Sequence, residues 1–205
     1  MSYLEDPAPA IPPPSLGDWT WDPLVISALV ASAAIYAVGA VRMTRRAGAA
    51  RPGMRRQALA HGAGLAVLAL ALLSPLDRVS DALFSAHMVQ HELLMLVAAP
   101  LIVLGRPAAP LLWTLPRRWR VRTRRAAHRP ALVWAWRVLT APAVALVLHA
   151  AARWLWHVPA AFEAALADGA IHSLQHATFF GTAVLFWWTL IHGRYGRAAD
   201  PVRAS

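Results

Sequence analysis

The sequence predicts an all-α, polytopic membrane bundle of about five spans, with its N-terminus outside and its C-terminus in the cytoplasm. Three observations predict it. The composition is 58% apolar with a mean hydropathy of +0.45, too apolar for an ordinary soluble fold. Five apolar runs approach the roughly 20 residues that a helix needs to cross a hydrocarbon core of about 30 Å. The 20 basic residues, all of them arginine, fall in bands between those runs. A net charge of +10 distributed in this way reads as membrane topology and argues against nucleic acid as a partner. The absence of cysteine excludes disulfides, thiolate metal sites and thiol redox steps.

Residues 1–22, MSYLEDPAPAIPPPSLGDWTWD, lack the basic start of a signal peptide and are rich in proline and acid, so they are expected to form an exposed leader. The transmembrane domain is expected over 23–192 and a cytoplasmic tail over 193–205. The runs are 23–41, 58–74, 86–104, 135–156 and 170–192. The fourth is interrupted by Pro142 and bounded by Arg137 and Arg153, whose long side chains can reach the interfaces.

Orientation follows from the loops. RMTRRAGAARPGMRR after the first run holds six arginines, the segment from Gly105 to Pro130 holds eight, and the tail three. The leader, PLDRVSDALFS and VPAAFEAALADG carry eight of the ten acidic residues and only Arg78 among the basic ones. The arginine-rich segments belong in the cytoplasm. Trp19, Trp21, Trp113, Trp119, Trp154 and Trp156 fall near the expected interfaces, and LLWTLPRRW is expected to form a short interfacial helix on anionic lipid.

Two runs open on the same polar pattern. His87, Gln90 and His91 form H-x-x-Q-H in the third, and His172, Gln175 and His176 repeat it in the fifth. Each copy follows an outward helix that ends near a proline, Pro75 or Pro159, so two hairpins of like orientation carry one signature. In a helix, positions i and i+4 share a face about 6 Å apart along the axis, so each pair can aim two imidazoles at one centre. Gln90 and Gln175 lie beside the pairs, where an amide can orient an imidazole. His157 at the end of the fourth run falls in the same layer, and His149 lies eight residues deeper on a similar face.

A single histidine near a membrane interface is most often an anchor or a hydrogen-bond partner between helices. Five in one layer, four of them as matched pairs, point instead to a metal or a haem. Imidazole suits copper, zinc, iron and nickel, and a thioether such as Met88 adds a preference for cuprous copper. Met95 is expected to be packing. HELLM is not the H-E-x-x-H zinc motif, since methionine stands at the second histidine position. Glu92 is costly in an apolar run unless it faces protein, metal or water, and its preferred expected role is an ion pair with Arg153.

The stretch SPLDRVSDALFSAHMVQHELLMLVAAPLIVLGRP resembles the signature hairpin of the CtaG-like cytochrome c oxidase assembly proteins, the multi-span family associated with caa-type oxidases. The likeness continues through WLWHVPAAFEAAL, IHSLQHATFF and LFWWTLI, from about Trp19 to His192. The resemblance implies a bacterial cell membrane factor, not an enzyme, that matures haem-copper oxidase. Its partners would be oxidase subunits, and it would handle copper on the outer side through positions matching His87, His91, His157, His172 and His176. Family members continue through further spans, whereas this sequence ends soon after the tryptophan pair, so pairing with a second copy or another subunit is an open expectation. Two alternatives remain beside copper transfer. One is a b-type haem protein with one histidine from each helix. The other is a metal-free scaffold in which histidine and glutamine cross-link helices.

Overall fold

The structure is a computed structural model that describes residues 17–47 and 53–193. These residues form helices joined by short turns, with no strand among them. Helix α1 (Pro23–Ala47) starts where Asp22 accepts from the backbone N–H groups of Leu24 and Val25 at 2.7 and 3.2 Å, a carboxylate cap followed by proline in the first turn. Helix α2 (Met54–Leu73) follows. Ser74 then caps the short α3 (Pro75–Ala82), accepting from Leu76 N–H.

The central element runs continuously from Phe84 to Leu104. It comprises α4 (Phe84–Glu92), a π-helical segment (Leu93–Ala98) and α5 (Ala99–Leu104). The wider π turn changes the register between the polar face of α4 and the apolar face beyond it. The indole N–H of Trp187 donates to the Met95 carbonyl within that segment at 2.9 Å, giving a displaced backbone acceptor a partner.

The core lies on both sides of this helix. On one side Leu94 and Ala98 pack with Leu68 and Ala71 of α2. On the other, Met95 and Ala99 pack with Phe179 and Ala183 of α11 (Gly169–His192). Met95 is therefore packing, as expected. Small residues set the separations: a Cβ on Gly64 of α2 would stand 2.9 Å from the Ile102 side chain of α5, so the glycine permits that approach.

The arginine-rich segment after α5 contains two helices, α6 (Ala108–Thr114) and α7 (Arg117–Ala127). Helix α6 packs closely on α1, where a Cβ on Gly39 would collide with the Pro110 carbonyl. Helix α7 has no buried residue. The expected interfacial helix is thus divided at Leu115 and Pro116, and its first half is docked on the bundle.

The fourth expected span is interrupted near Pro142, as its sequence suggested. It is split into α8 (Pro130–Leu139) and α9 (Pro142–Trp156), bent by 64° at the break. Pro142 at the start of α9 cannot donate a helical hydrogen bond. Helix α10 (Pro159–Ala167) then leads to α11, which starts where Asp168 accepts from Ala170 and Ile171 N–H at 2.7 and 3.1 Å.

By length and apolarity three helices can cross a membrane, α1, α2 and the central one, or four if the bent pair is one span. These three or four lie among the five expected spans. Helix α11 has the length, at 24 residues, but its histidines, glutamine and tryptophans dilute its apolar character. Most of the leader and nearly all of the tail lie outside the described residues.

Candidate metal centre

The two H-x-x-Q-H copies occupy equivalent places in the architecture. Helices α2, α3 and α4 repeat as α9, α10 and α11: a long helix, a short one opening on Pro75 or Pro159, then the histidine helix. His87 is the fourth residue of α4 and His172 the fourth of α11. Each pair therefore projects from the first two turns of its helix, at one end of the bundle.

The pairs face each other. Within α4 the rings of His87 and His91 have centroids 4.3 Å apart, and within α11 those of His172 and His176 are also 4.3 Å apart. Between helices, His87 stacks on His172 at 5.4 Å and 18°, while His91 meets His176 edge to face at 5.1 Å. One ring nitrogen from each of His87, His91 and His172 lies within 4.8 Å of the other two. Two imidazole nitrogens on one ion stand at most about 4.2 Å apart, given bonds of about 2.0–2.1 Å. A small side-chain rotation closes the difference.

The environment is dry and apolar on its inner side. His87 and His91 are 3% and 2% exposed, and Phe179 lies under His91 at 4.7 Å while Phe162 of α10 meets His87 at 6.2 Å. In that setting the Nε2 atoms of His87, His172 and His176 and both nitrogens of His91 are buried with no hydrogen-bond partner. Such a group forfeits about 1–3 kcal/mol. A cluster of them in one place calls for an acceptor of lone pairs, and a cation supplies it.

The remaining expected site residues are placed differently. His157 is exposed at the end of α9, its Nδ1 2.6 Å from the Arg153 carbonyl oxygen. The Phe179 ring lies 6.5 Å from the His157 ring and 4.7 Å from that of His91. His149 bonds Thr182 Oγ1 of α11 at 3.0 Å and stacks on Phe186, away from the four-ring cluster. Met88 is half-buried on α4.

Gln90 donates to the Ala71 carbonyl and to Asp77 Oδ1, both at 2.8 Å. Its amide nitrogen thus ties α4 to α2 and α3, while its carbonyl oxygen is buried without a hydrogen-bond partner. Gln175 is buried, with its carbonyl oxygen unpartnered. Glu92 pairs with Arg153 of α9 at 3.0 Å, both side chains partly exposed, which is the expected structural role. The rings of Phe162 and Phe179 were not among the expected site residues, because an aromatic residue in an apolar helix carries no local signal of what it packs on.

Comparison with known proteins gives one match. A family model described as cytochrome c oxidase caa3 assembly factor covers residues 34–204. No curated protein and no solved structure matches the chain.

Proposed function

Because the chain belongs to the cytochrome c oxidase caa3 assembly factor family, we propose that it takes up copper as cargo in the four-histidine cluster and passes it to an oxidase subunit. An assembly role follows from the family; the copper step rests on the cluster. The observation that carries it is the set of partnerless, buried imidazole nitrogens on His87, His91, His172 and His176. In this reading His87, His91 and His172 hold the ion and His176 completes the set.

The donor set suits transfer. Neutral imidazoles leave the whole ionic charge uncompensated in an apolar setting, which favours departure once another ligand offers itself. His157, exposed and one aromatic ring away from His91, is the residue by which the ion enters or leaves. The arginine bands place the cluster on the outer side of a bacterial cell membrane, where a subunit of the oxidase would receive the ion by ligand exchange. Against haem held between the two helices, His87 and His172 stack face to face, whereas paired axial ligands point their nitrogens at one another across the porphyrin.

The test is metal content and a visible spectrum of the purified protein. One or two cuprous ions per chain are expected, reduced to background in the double variant His87→Ala, His91→Ala. Normal copper content in that variant refutes the site, and a Soret band with sharp reduced peaks replaces copper by haem.

A further inference from the structure

At the end of the bundle opposite the histidines, α1 finishes on Arg42, Arg45 and Arg46, which lie three and four residues apart and so share a face. That face meets the turn between α6 and α7. Together they enclose an open pocket of about 250 Å³ lined by those three arginines, Arg117, Arg120 and Trp113, with Leu115 and Pro116 at its base. Among the described residues, no carboxylate lines it.

Five positive charges around one small hollow repel each other, so the arrangement invites an anion. Its geometry is held from both sides. Arg42 Nη1 donates to the Thr114 carbonyl at 2.6 Å, fixing α1 against the turn. The Arg120 guanidinium lies over the Trp113 ring, 4.2 Å from its centre, which orients that group while leaving its N–H edges free.

A second observation points the same way. Helix α7 begins at Arg117 with Pro116 as its cap residue and no side chain accepting from its first turn. Pro116 and Arg117, which open that helix, both line the pocket, and uncapped N–H groups at a helix start attract anions.

We propose that this pocket binds a phosphate group. Its location, beside the last turn of a span and a tryptophan at the interface, favours the phosphate of an anionic lipid headgroup. Leu115 and Pro116 then meet the glycerol end of the lipid. The inference is independent of the copper reading, because it involves none of the histidines.

The test uses the full chain in nanodiscs, with bound lipid counted by native mass spectrometry. The probes are phosphatidylglycerol, phosphatidylcholine and inorganic phosphate. Each arginine near an anionic surface is worth about fivefold in affinity, so Arg46→Gln with Arg117→Gln should weaken phosphatidylglycerol retention roughly thirtyfold. Arg124→Gln with Arg125→Gln removes the same charge from the far end of α7 and should change it by less than about threefold, since a point charge is screened beyond about 10 Å. Arg46→Lys with Arg117→Lys keeps the charge and should restore most of the binding.

Displacement of the lipid by millimolar inorganic phosphate supports the phosphate site with a soluble source, and resistance to it supports the lipid. Equal losses in the two glutamine variants, or no preference for phosphatidylglycerol over phosphatidylcholine, overturn the proposal. Copper content should be unchanged in every variant, which separates this outcome from failure of the metal reading.

Discussion

Replacing His91 by leucine should raise the stability of the metal-free protein and abolish its stabilisation by copper. Both His91 nitrogens are buried with no partner, and at about 1–3 kcal/mol each they cost the folded state about 2–6 kcal/mol. The substitution also forfeits ring contacts with His87, His176 and Phe179, worth about 0.5–1.5 kcal/mol apiece beyond the area they bury. Leucine keeps most of that buried area, so the balance is a gain of about 0.5–1.5 kcal/mol. At about 2–4 °C per kcal/mol for a chain of this size, the stripped variant should melt roughly 1–6 °C above the stripped wild type.

Copper should reverse the order. At 100 times its dissociation constant a ligand adds about 2.7 kcal/mol to the folded state. The wild type should gain that amount and the variant very little. The assay is thermal unfolding by intrinsic tryptophan fluorescence in one detergent, after removal of metal by a cuprous chelator and again after cuprous reloading. If His91→Leu melts below the wild type when both are stripped, its imidazole makes a structural cross-link and the reasoning from partnerless nitrogens fails. A copper shift of equal size in both proteins refutes the ligand assignment in the same experiment.

Two further predictions concern α9. Arg153→Leu leaves Glu92 without its 3.0 Å partner, so it should destabilise more than the double variant Arg153→Leu, Glu92→Leu, with a coupling of about 1 kcal/mol in a double-mutant cycle; additive effects would mean that the pair holds nothing. His157→Ala should leave copper content intact while slowing transfer to a soluble cuprous chelator by about tenfold or more in stopped-flow measurements, whereas unchanged kinetics would remove His157 from the route.

Much of the architecture was legible because the relevant signals are local. The two H-x-x-Q-H copies, the prolines before them and the acid in an apolar run are all visible in strings of a dozen residues. Glu92 and Arg153 were matched on charge alone, each being unusual in its own segment. The bend at Pro142 was partly legible, since proline marks a break without stating its 64° angle. The bonds from Gln90 to Ala71 and Asp77 were not, because these partners lie on α2 and α3, with the backbone of Ala71 nineteen residues away. Nor was the π segment, although Pro100 just beyond it lacks the N–H that an α-helical bond to the Leu96 carbonyl would use.

The sequence by itself determined the apolar class, the repeated hairpin and the fact that each histidine pair occupies one helical face. These are consequences of composition and of a 3.6-residue period, which every chain of this pattern must obey. The tertiary structure decided which faces meet. The rotation of the central helix against α11 is set by Met95 and Ala99 of its π segment and α5 packing on Phe179 and Ala183, and that rotation turns two separate pairs into one cluster. It also left His149 bonded to Thr182 and His157 exposed, although both shared the layer or face read from spacing. Spacing along one helix specifies a direction, and only close packing between helices specifies what lies in that direction.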